Sequence, residues 1–317
     1  MKPRTVHIVG AGGLVGASSA AALLAKPGSR NINLIDIAAD LVSGQALDLN
    51  DATAFSTNTH VQVGEYSDIR ADDIVVITSG IPRRADQSRL DLIGTNAGIM
   101  TKVVQSVMAQ GKPVFIVVVS NPVDLMTRVA LEVSGLGPER VFGTGTTLDT
   151  ARLVVALALE LKVPQSTIDA LVLGEHGDSS VTAFEAATVA GKPLTKLPEF
   201  SLEWAERVTN DIRAHARKII ETKKSTHWGI GAVVAEIVEA LTLEEGRTFP
   251  VGVMATGQYG LTDVVLGLPA TVSNKGAKIL ANYPLTTAEI DALQASAKVL
   301  QQTWTDYRAA KSEDQAQ

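Results

Sequence analysis

Continuous runs of apolar residues in the first half of the chain predict buried β-strands. Residues 5–9, 74–78 and 114–119 are such runs, and the last two are rich in β-branched side chains. Runs without polar alternation are typical of strands in a parallel sheet that is covered on both faces. Residues 33–37 predict a further strand.

Segments without a helix breaker lie between these strands and predict helices. They are residues 14–25, 38–53 and 92–110, and the last of them is closed by Gly111 and Pro113. Alternation of strands and helices implies right-handed crossovers and a parallel sheet with helices on both faces. The first half therefore predicts an α/β fold with a Rossmann-type parallel sheet.

The second half has a less regular pattern and predicts an α+β catalytic domain. Thr286 and Glu289 have the spacing of a capping box, which begins a last helix that continues to about Lys311. No linker separates the halves, so we expect two domains packed together, residues 1–143 and 144–317. The other elements predicted here are helices at 148–161, 202–222 and 226–243 and strands at 168–173 and 249–256.

The composition is that of a globular protein and excludes several classes of function. Hydrophobic residues make up 45% of the 317 residues, and the formal net charge is −6. A nucleic-acid backbone is bound by a clustered basic face, so we expect no nucleic-acid partner. The chain has no cysteine, which excludes disulfides, iron–sulfur clusters and cysteine nucleophiles.

No segment has the pattern of a targeting signal or a membrane helix. The first apolar run is too short for a signal peptide. The longest later run, residues 153–159, is far below the ~20 residues that span a bilayer. We therefore expect no membrane partner and a cytoplasmic location.

A glycine-rich segment between the first strand and the first helix predicts a dinucleotide site. Glycine allows a sharp turn and a close approach of the backbone to a pyrophosphate, which the helix N-terminus attracts. The spacing departs from G-x-G-x-x-G but also fits G-x-x-G-x-x-G. A tight turn without a ligand is the alternative. The glycines are Gly10, Gly12, Gly13 and Gly16.

Asp36 ends the second predicted strand, twenty residues after Gly16. A carboxylate at this point can accept hydrogen bonds from both ribose hydroxyls of an adenosine and would repel a 2′-phosphate. Ile37 follows it, with no arginine beside it, so NAD is favoured over NADP. The alternative is a carboxylate that caps the next helix.

Polar segments follow the two central strands, at the sheet edge where open α/β folds bind ligands. Arg83, Arg84 and Arg89 follow the strand at 74–78, and Asn121 follows the next strand. An asparagine here could orient a substrate carbonyl or a nicotinamide. A solvated charged loop and a plain turn are the alternatives.

Two further segments carry candidate chemistry. Asp149 and Arg152 are three residues apart on a predicted helix, so they share a face, and a local ion pair would also explain them. His176 lies between glycines after a predicted strand. A lone histidine in a turn is usually not catalytic. No two histidines have metal-ligand spacing, so we expect no metal.

The combination of these segments is more specific than any one of them. In order and interval, the glycine-rich turn, Asp36 and the segments PRRADQSR, SNPVD, LDTAR and GEHGD resemble the NAD-dependent L-2-hydroxyacid dehydrogenases, the lactate and malate dehydrogenases. The resemblance extends from Val6 to the last helix, and LDTAR followed by GEHGD is its most specific part. It implies NAD as cofactor, a small 2-oxo or 2-hydroxy acid as substrate, and a homodimer or homotetramer.

The resemblance also implies roles for single residues. His176 would be the general acid and base, and Asp149 would hold its imidazole in the right tautomer. Arg152 would clamp the substrate's 1-carboxylate, while Arg89 and Asn121 would polarise the carbonyl oxygen. Cofactor contacts are implied for Asn121 and Ile230 besides the glycines and Asp36.

The position of Arg83 bears on substrate choice, because malate dehydrogenases carry arginine there and lactate dehydrogenases carry glutamine. Arg83 would pair with the second carboxylate of oxaloacetate, so malate/oxaloacetate is the predicted pair. Thr226 and Ile230 match the lactate-type pocket, and Asp86 could neutralise Arg83. The alternatives are lactate or a broader range of 2-hydroxy acids and, from another class, a non-catalytic NAD sensor.

Overall fold

The computed structural model describes residues 4–27, 30–55, 58–82 and 89–316, except for the side chains of Arg89 and residues 313–316. The elements of the first half are β1 Val6–Val9, α1 Leu14–Leu24, β2 Arg30–Ile35, α2 Ala39–Thr53, β3 Thr59–Val63, β4 Ile74–Ile77, α3 Arg89–Met108, β5 Phe115–Val118, α4 Val123–Ser134 and β6 Val141–Gly143. The strands are parallel and lie in the order β3-β2-β1-β4-β5-β6.

Strand β1 lies at the centre of this arrangement, and its continuous apolar run is explained by burial on both faces. Ile8 is opposite Leu34 of β2 on one side and Val76 of β4 on the other, and all three are fully buried. The chain runs outward through β2 and β3, then returns to the other side of β1 through β4. This reversal opens a crevice at the carboxyl ends of β1 and β4.

The second half extends the same sheet with an antiparallel meander. The elements are α5 Thr147–Leu161, β7 Ile168–Asp169, β8 Val172–Leu173, β9 Val181–Thr182, β10 Thr188–Val189, β11 Lys192–Pro193, α6 Leu202–Lys223, α7 Trp228–Ala240, β12 Arg247–Thr256, β13 Thr262–Ser273, β14 Gly276–Ile279 and α8 Thr287–Ala316. Gly252 of β12 is opposite Gly143 of β6, so nine strands form one sheet within the described residues.

The predicted fold class is confirmed, and the differences lie in individual elements. The strand predicted at 168–173 is two separate short strands, β7 and β8, and α8 continues beyond Lys311. The capping box of α8 is present: Thr286 N–H donates to Glu289 Oε2 at 2.8 Å, and Glu289 N–H donates to Thr286 Oγ1 at 3.1 Å. Helix α4 was not predicted, nor were strands β3, β6, β9, β10, β11, β13 and β14. Across the described ranges, no helix has the length and apolar character needed to cross a bilayer.

Candidate active site

The carboxyl ends of the parallel strands bring together the segments that the sequence singled out. Gly10 follows β1, and Ser79 follows β4 on the other side of the chain reversal. These two residues are in contact, because a Cβ on Gly10 would lie 2.7 Å from the Ser79 nitrogen. The predicted ligand edge is therefore a real edge of the sheet, with the glycine-rich turn at the reversal.

Two of the four glycines are required by the backbone of this turn. Gly10 has φ +90°, which L side chains rarely adopt, and a Cβ on Gly16 would lie 2.5 Å from the Gly10 oxygen. Gly13 precedes the first turn of α1, and a Cβ there would meet its nearest neighbour only at 3.4 Å. The first N–H groups of α1 have no acceptor within the helix, so this end can receive a pyrophosphate.

Asp36 lies just after β2 and is tied to the glycine turn. Its Oδ2 accepts the N–H of Gly12 at 2.9 Å, and its Oδ1 accepts the N–H of Ala38 at 3.0 Å. Each oxygen keeps a lone pair for a further donor. Asp36 lines a cavity of about 360 Å³ together with Gly10, Gly13, Ile37 and Tyr66. This cavity suits the adenosine half of a dinucleotide with free ribose hydroxyls.

A second cavity, of about 370 Å³, is lined by five further predicted residues. His176, Arg152, Asn121, Thr226 and Ile230 all line it. The two cavities share Thr78, Gly80 and Ile81, so they form one groove across the sheet edge. An elongated ligand can lie in that groove with one end beside Asp36 and the other beside His176.

His176, Asp149 and Arg152 form a hydrogen-bonded row, and its two outer members, His176 and Arg152, line the second cavity. The loop after β8 carries His176, while the first two turns of α5 carry Asp149 and Arg152. The His176 imidazole lies 2.6 Å from Asp149, Nδ1 to Oδ2, and Arg152 donates to Asp149 Oδ1 at 2.8 Å. An ionised carboxylate only accepts, so Nδ1 carries the proton that is donated to Asp149, and Nε2 is left for a ligand.

The row shifts the pKa values of its members in opposite directions. Burial lowers the pKa of His176, but the charge and hydrogen bond of Asp149, with the charge of Asp124, raise it more, so the net pKa is raised. Burial raises the pKa of Asp149, but His176 and Arg152 together lower it below its ordinary value. The arrangement therefore favours an imidazolium beside a carboxylate, which is a proton donor held in place.

Asn96 belongs to the same site and was not predicted. Its buried side chain accepts the N–H of Ile81 at 2.9 Å and donates to the carbonyl oxygens of Ile81 at 3.1 Å and Asn121 at 2.8 Å. These bonds connect the loops that follow β4 and β5. Sequence reasoning missed Asn96 because an isolated asparagine within a helix gives no sign of what it faces.

His227, to which no partner could be assigned from the sequence, connects three helices. Its Nδ1 is 2.9 Å from Ser18 Oγ on α1, and Lys223 of α6 donates to its Nε2 at 3.0 Å. Burial and the charge of Lys223 lower the pKa of His227. His227 lies beside Thr226 at the start of α7, so it fixes one wall of the second cavity.

The arginines of the predicted substrate loop cannot be placed. Arg83, Arg84 and Asp86 lie outside the described residues, as does the side chain of Arg89, whose backbone begins α3. Among the described residues, no cluster of three or more His, Asp or Glu side chains could hold a metal ion.

Comparison with known proteins extends the match to the whole chain. The model of the lactate/malate dehydrogenase NAD-binding domain matches residues 4–143, and that of the alpha/beta C-terminal domain of the same family matches residues 146–310. The L-lactate dehydrogenase of Lactobacillus delbrueckii subsp. bulgaricus is 38% identical over 301 residues, which are 95% of this chain and 98% of that protein.

Solved structures agree with the sequence matches. The minor L-lactate dehydrogenase of Enterococcus mundtii, in its ligand-bound form, gives a TM-score of 0.91 at 35% identity over 96% of this chain and 98% of that one. A lactate dehydrogenase from a Medee basin deep-sea metagenome library gives a TM-score of 0.92 at 34% identity, over 97% of this chain and 100% of that one. The chain is thus an NAD-dependent 2-hydroxyacid dehydrogenase, and it belongs to the lactate/malate dehydrogenase family.

Proposed function

We propose that this dehydrogenase interconverts pyruvate and L-lactate, with other small 2-oxo monocarboxylic acids as weaker substrates. The observation that carries the proposal is that Arg152 and His176, joined through Asp149, line a cavity whose further described wall is uncharged. Ala216, Ile220 and Thr226 form that wall. It can enclose a methyl group, whereas a second carboxylate there would lose its hydration without gaining a charged partner.

The proposed roles follow from the hydrogen bonds of the row. NADH, when bound, supplies the hydride. His176 donates the Nε2 proton to the carbonyl oxygen as it becomes an alkoxide, and it recovers a proton in the reverse direction. Asp149 stabilises the imidazolium and keeps Nε2 facing the cavity. Arg152 uses one N–H on Asp149 and has others for the substrate's 1-carboxylate.

Further roles in the proposal come from residues at the rim. Asn121 lines the cavity beside His176 and donates to the carbonyl oxygen, and Arg89 polarises the same oxygen. Gly10 to Gly16 and Asp36 hold the cofactor, and Ile230 contacts the nicotinamide. We also propose the division into residues 1–143, which bind NAD, and 144–317, which bind substrate. A homodimer or homotetramer remains a prediction.

Malate/oxaloacetate is the second candidate, and Arg83 is the specific observation that favours it. The relatives compared above are named lactate dehydrogenases, and this favours lactate over the malate preference that the sequence alone suggested. If the Arg83 guanidinium faces the cavity, a hydrogen bond to the second carboxylate would contribute roughly 1.5–3 kcal/mol. Asp86 in the same loop could neutralise it.

The test is kcat/KM with NADH for pyruvate, oxaloacetate and a branched 2-oxo acid, in the wild type, Arg83→Gln and Arg84→Gln. We expect pyruvate to lead in the wild type and both variants to preserve that order. Arg84→Gln is the matched control, since it removes the same charge one residue away. An oxaloacetate preference that Arg83→Gln alone reverses would establish malate as the substrate. No NADH consumption with any of the acids would refute the proposed activity.

A further inference from the structure

Asp124, in the first turn of α4, is bonded to the residue that carries the candidate proton donor. Its Oδ2 accepts the backbone N–H of His176 at 2.9 Å. This bond joins the loop after β8 to helix α4, which begins directly after Asn121 and Pro122. The position of the imidazole therefore depends on α4 as well as on Asp149. Neither the sequence motifs nor the proposed mechanism assigns Asp124 a role.

The second oxygen of this carboxyl is in an unusual position. Asp124 is 3% exposed, and its Oδ1 is buried with no hydrogen-bond partner among the described residues. Gly252 of β12 is the neighbour on that side, since a Cβ there would lie 3.6 Å from Oδ1. A neutral acid protonated on Oδ1 loses less in such a place than a carboxylate, which leaves a charged oxygen without donors.

The surroundings of Asp124 include groups that raise its pKa and groups that lower it. Burial and the charges of Glu175 and Asp149 raise its pKa, while the N–H and charge of His176 lower it, and the net pKa is raised to about 7. Strand β12 contributes the uncharged Gly252. A carboxyl that ionises near neutrality beside His176 adds a negative charge under the conditions in which the imidazolium begins to lose its proton.

We infer that Asp124 is a positioning residue for His176, which rests on the proposed function of His176 as acid and base. Its carboxyl holds the backbone of His176, and its ionised form stabilises the imidazolium. The proton donor therefore remains charged to a higher pH than its pairing with Asp149 alone would allow.

The decisive variant is Asp124→Asn, which keeps an oxygen to accept the His176 N–H but cannot ionise. We expect its kcat/KM for pyruvate reduction to equal that of the wild type near pH 5.5 and to fall about tenfold below it near pH 8.5. This corresponds to a decrease of about one unit in the apparent pKa of His176, the low end of the range for a nearby opposite charge. The profile for lactate oxidation should move to lower pH by the same amount.

Direct titration of the imidazole supplies a readout that does not depend on turnover. Nuclear magnetic resonance of histidine-labelled protein, with the His176 signal assigned by His176→Gln, should show the same downward shift in Asp124→Asn. Glu132→Gln is the matched control, because it removes a half-exposed carboxylate from the same helix. We expect it to leave both the profile and the titration unchanged.

The outcomes separate the two proposals. If the wild type reduces 2-oxo acids and His176→Gln does not, but Asp124→Asn has an unchanged profile and titration, the role of Asp124 is refuted alone. An equal loss of kcat/KM at every pH would also refute it, since that is the mark of a purely structural residue.

If the wild type reduces no 2-oxo acid, the proposed function fails, and the titration of His176 still tests its coupling to Asp124. If Asp124→Asn does not fold, carboxyl titration in the wild type decides, and an Asp124 that stays protonated throughout the pH range in which His176 titrates would overturn the inference.

Discussion

Replacing Asp149 with asparagine tests the central pair of the site with the smallest change in shape. In the wild type, one oxygen of Asp149 accepts from His176 at 2.6 Å and the other accepts from Arg152 at 2.8 Å. An asparagine has one acceptor for these two donors. Its amide N–H₂ must therefore face either an imidazolium or a guanidinium, both of which are donors only.

The magnitude follows from the bond that is lost. A hydrogen bond to a charged group contributes roughly 1.5–3 kcal/mol, which corresponds to a decrease of about ten- to 150-fold in kcat/KM for pyruvate reduction. Asp149 is nearly buried, with a side-chain exposure of 10%, so solvent does not compensate for the loss. The apparent pKa of His176 should also decrease, because the charge that raises it most has been removed.

The pH dependence of stability provides a second measure of the same pair. The pKa of His176 is raised on folding, so its contribution is complete below the unfolded pKa of about 6.5 and is lost as pH rises through the folded value. The pKa of Asp149 is lowered, so its contribution is present above about pH 4 and is lost as pH falls through the folded value. Asp149→Asn should therefore destabilise the protein most between about pH 4 and 6.5.

The assay is steady-state reduction of pyruvate from pH 5.5 to 9, with the dissociation constant of NADH measured by fluorescence. The dissociation constant should not change, because Asp149 lies outside the cavity that holds Asp36. Asp169→Asn, which removes an exposed carboxylate from β7, is the control. If Asp149→Asn keeps kcat/KM within about twofold and leaves the pH profile in place, the assignment of His176 and Asp149 is refuted, since even the weakest such bond is worth about tenfold.

Two further predictions concern the cofactor cavity and the connection between its loops. Asp36→Asn should raise the dissociation constant of NADH at least tenfold while kcat at saturating NADH changes little, because a neutral acceptor binds ribose hydroxyls more weakly. The exposed substitution Asp40→Asn is the control. An unchanged dissociation constant in Asp36→Asn would contradict the assignment of Asp36 to the ribose. Asn96→Ala should lower the free energy of unfolding by roughly 2–4 kcal/mol, because it removes the three hydrogen bonds that this buried side chain makes to the backbone of Ile81 and Asn121. Urea unfolding measures this decrease, with the exposed substitution Thr95→Ala as the control. A decrease in the free energy of unfolding below about 1 kcal/mol would refute the role of Asn96.

The first half of the fold was predictable because its sequence pattern and its burial have the same cause. Strands β1, β4 and β5 are buried along their whole length, and a continuous apolar run is the direct consequence. The meander of β13 and β14 was missed because Gly267 and Pro269 interrupt its apolar run, although both residues are paired in the sheet. Helix α4 was missed because Pro122 suggested a turn, whereas it precedes the first helical residue.

The site was predictable where motifs carry the chemistry and not where tertiary contacts create it. His176, Asp149 and Arg152 lie in short segments with specific spacing, and the structure brings them into one row. Asp124 lies within the segment SNPVD, but nothing in the sequence indicates that its carboxyl accepts the backbone N–H of His176, 52 positions later. Such pairings depend on strand order, which local patterns do not determine.

Substrate choice rests on a smaller set of atoms than the chemistry does. In the proposed mechanism, His176, Asp149 and Arg152 act on the 2-oxo acid group, which pyruvate and oxaloacetate share, so a resemblance to the family cannot separate the two substrates. Discrimination arises at the far end of the substrate. A guanidinium turned into that space would be left unpaired by a methyl group, and an uncharged wall would leave a second carboxylate unpaired. Either mismatch buries a charge without a partner, so one substrate should lead clearly, and the ratio of the two kcat/KM values reports whether Arg83 or the wall of Ala216, Ile220 and Thr226 meets the substrate.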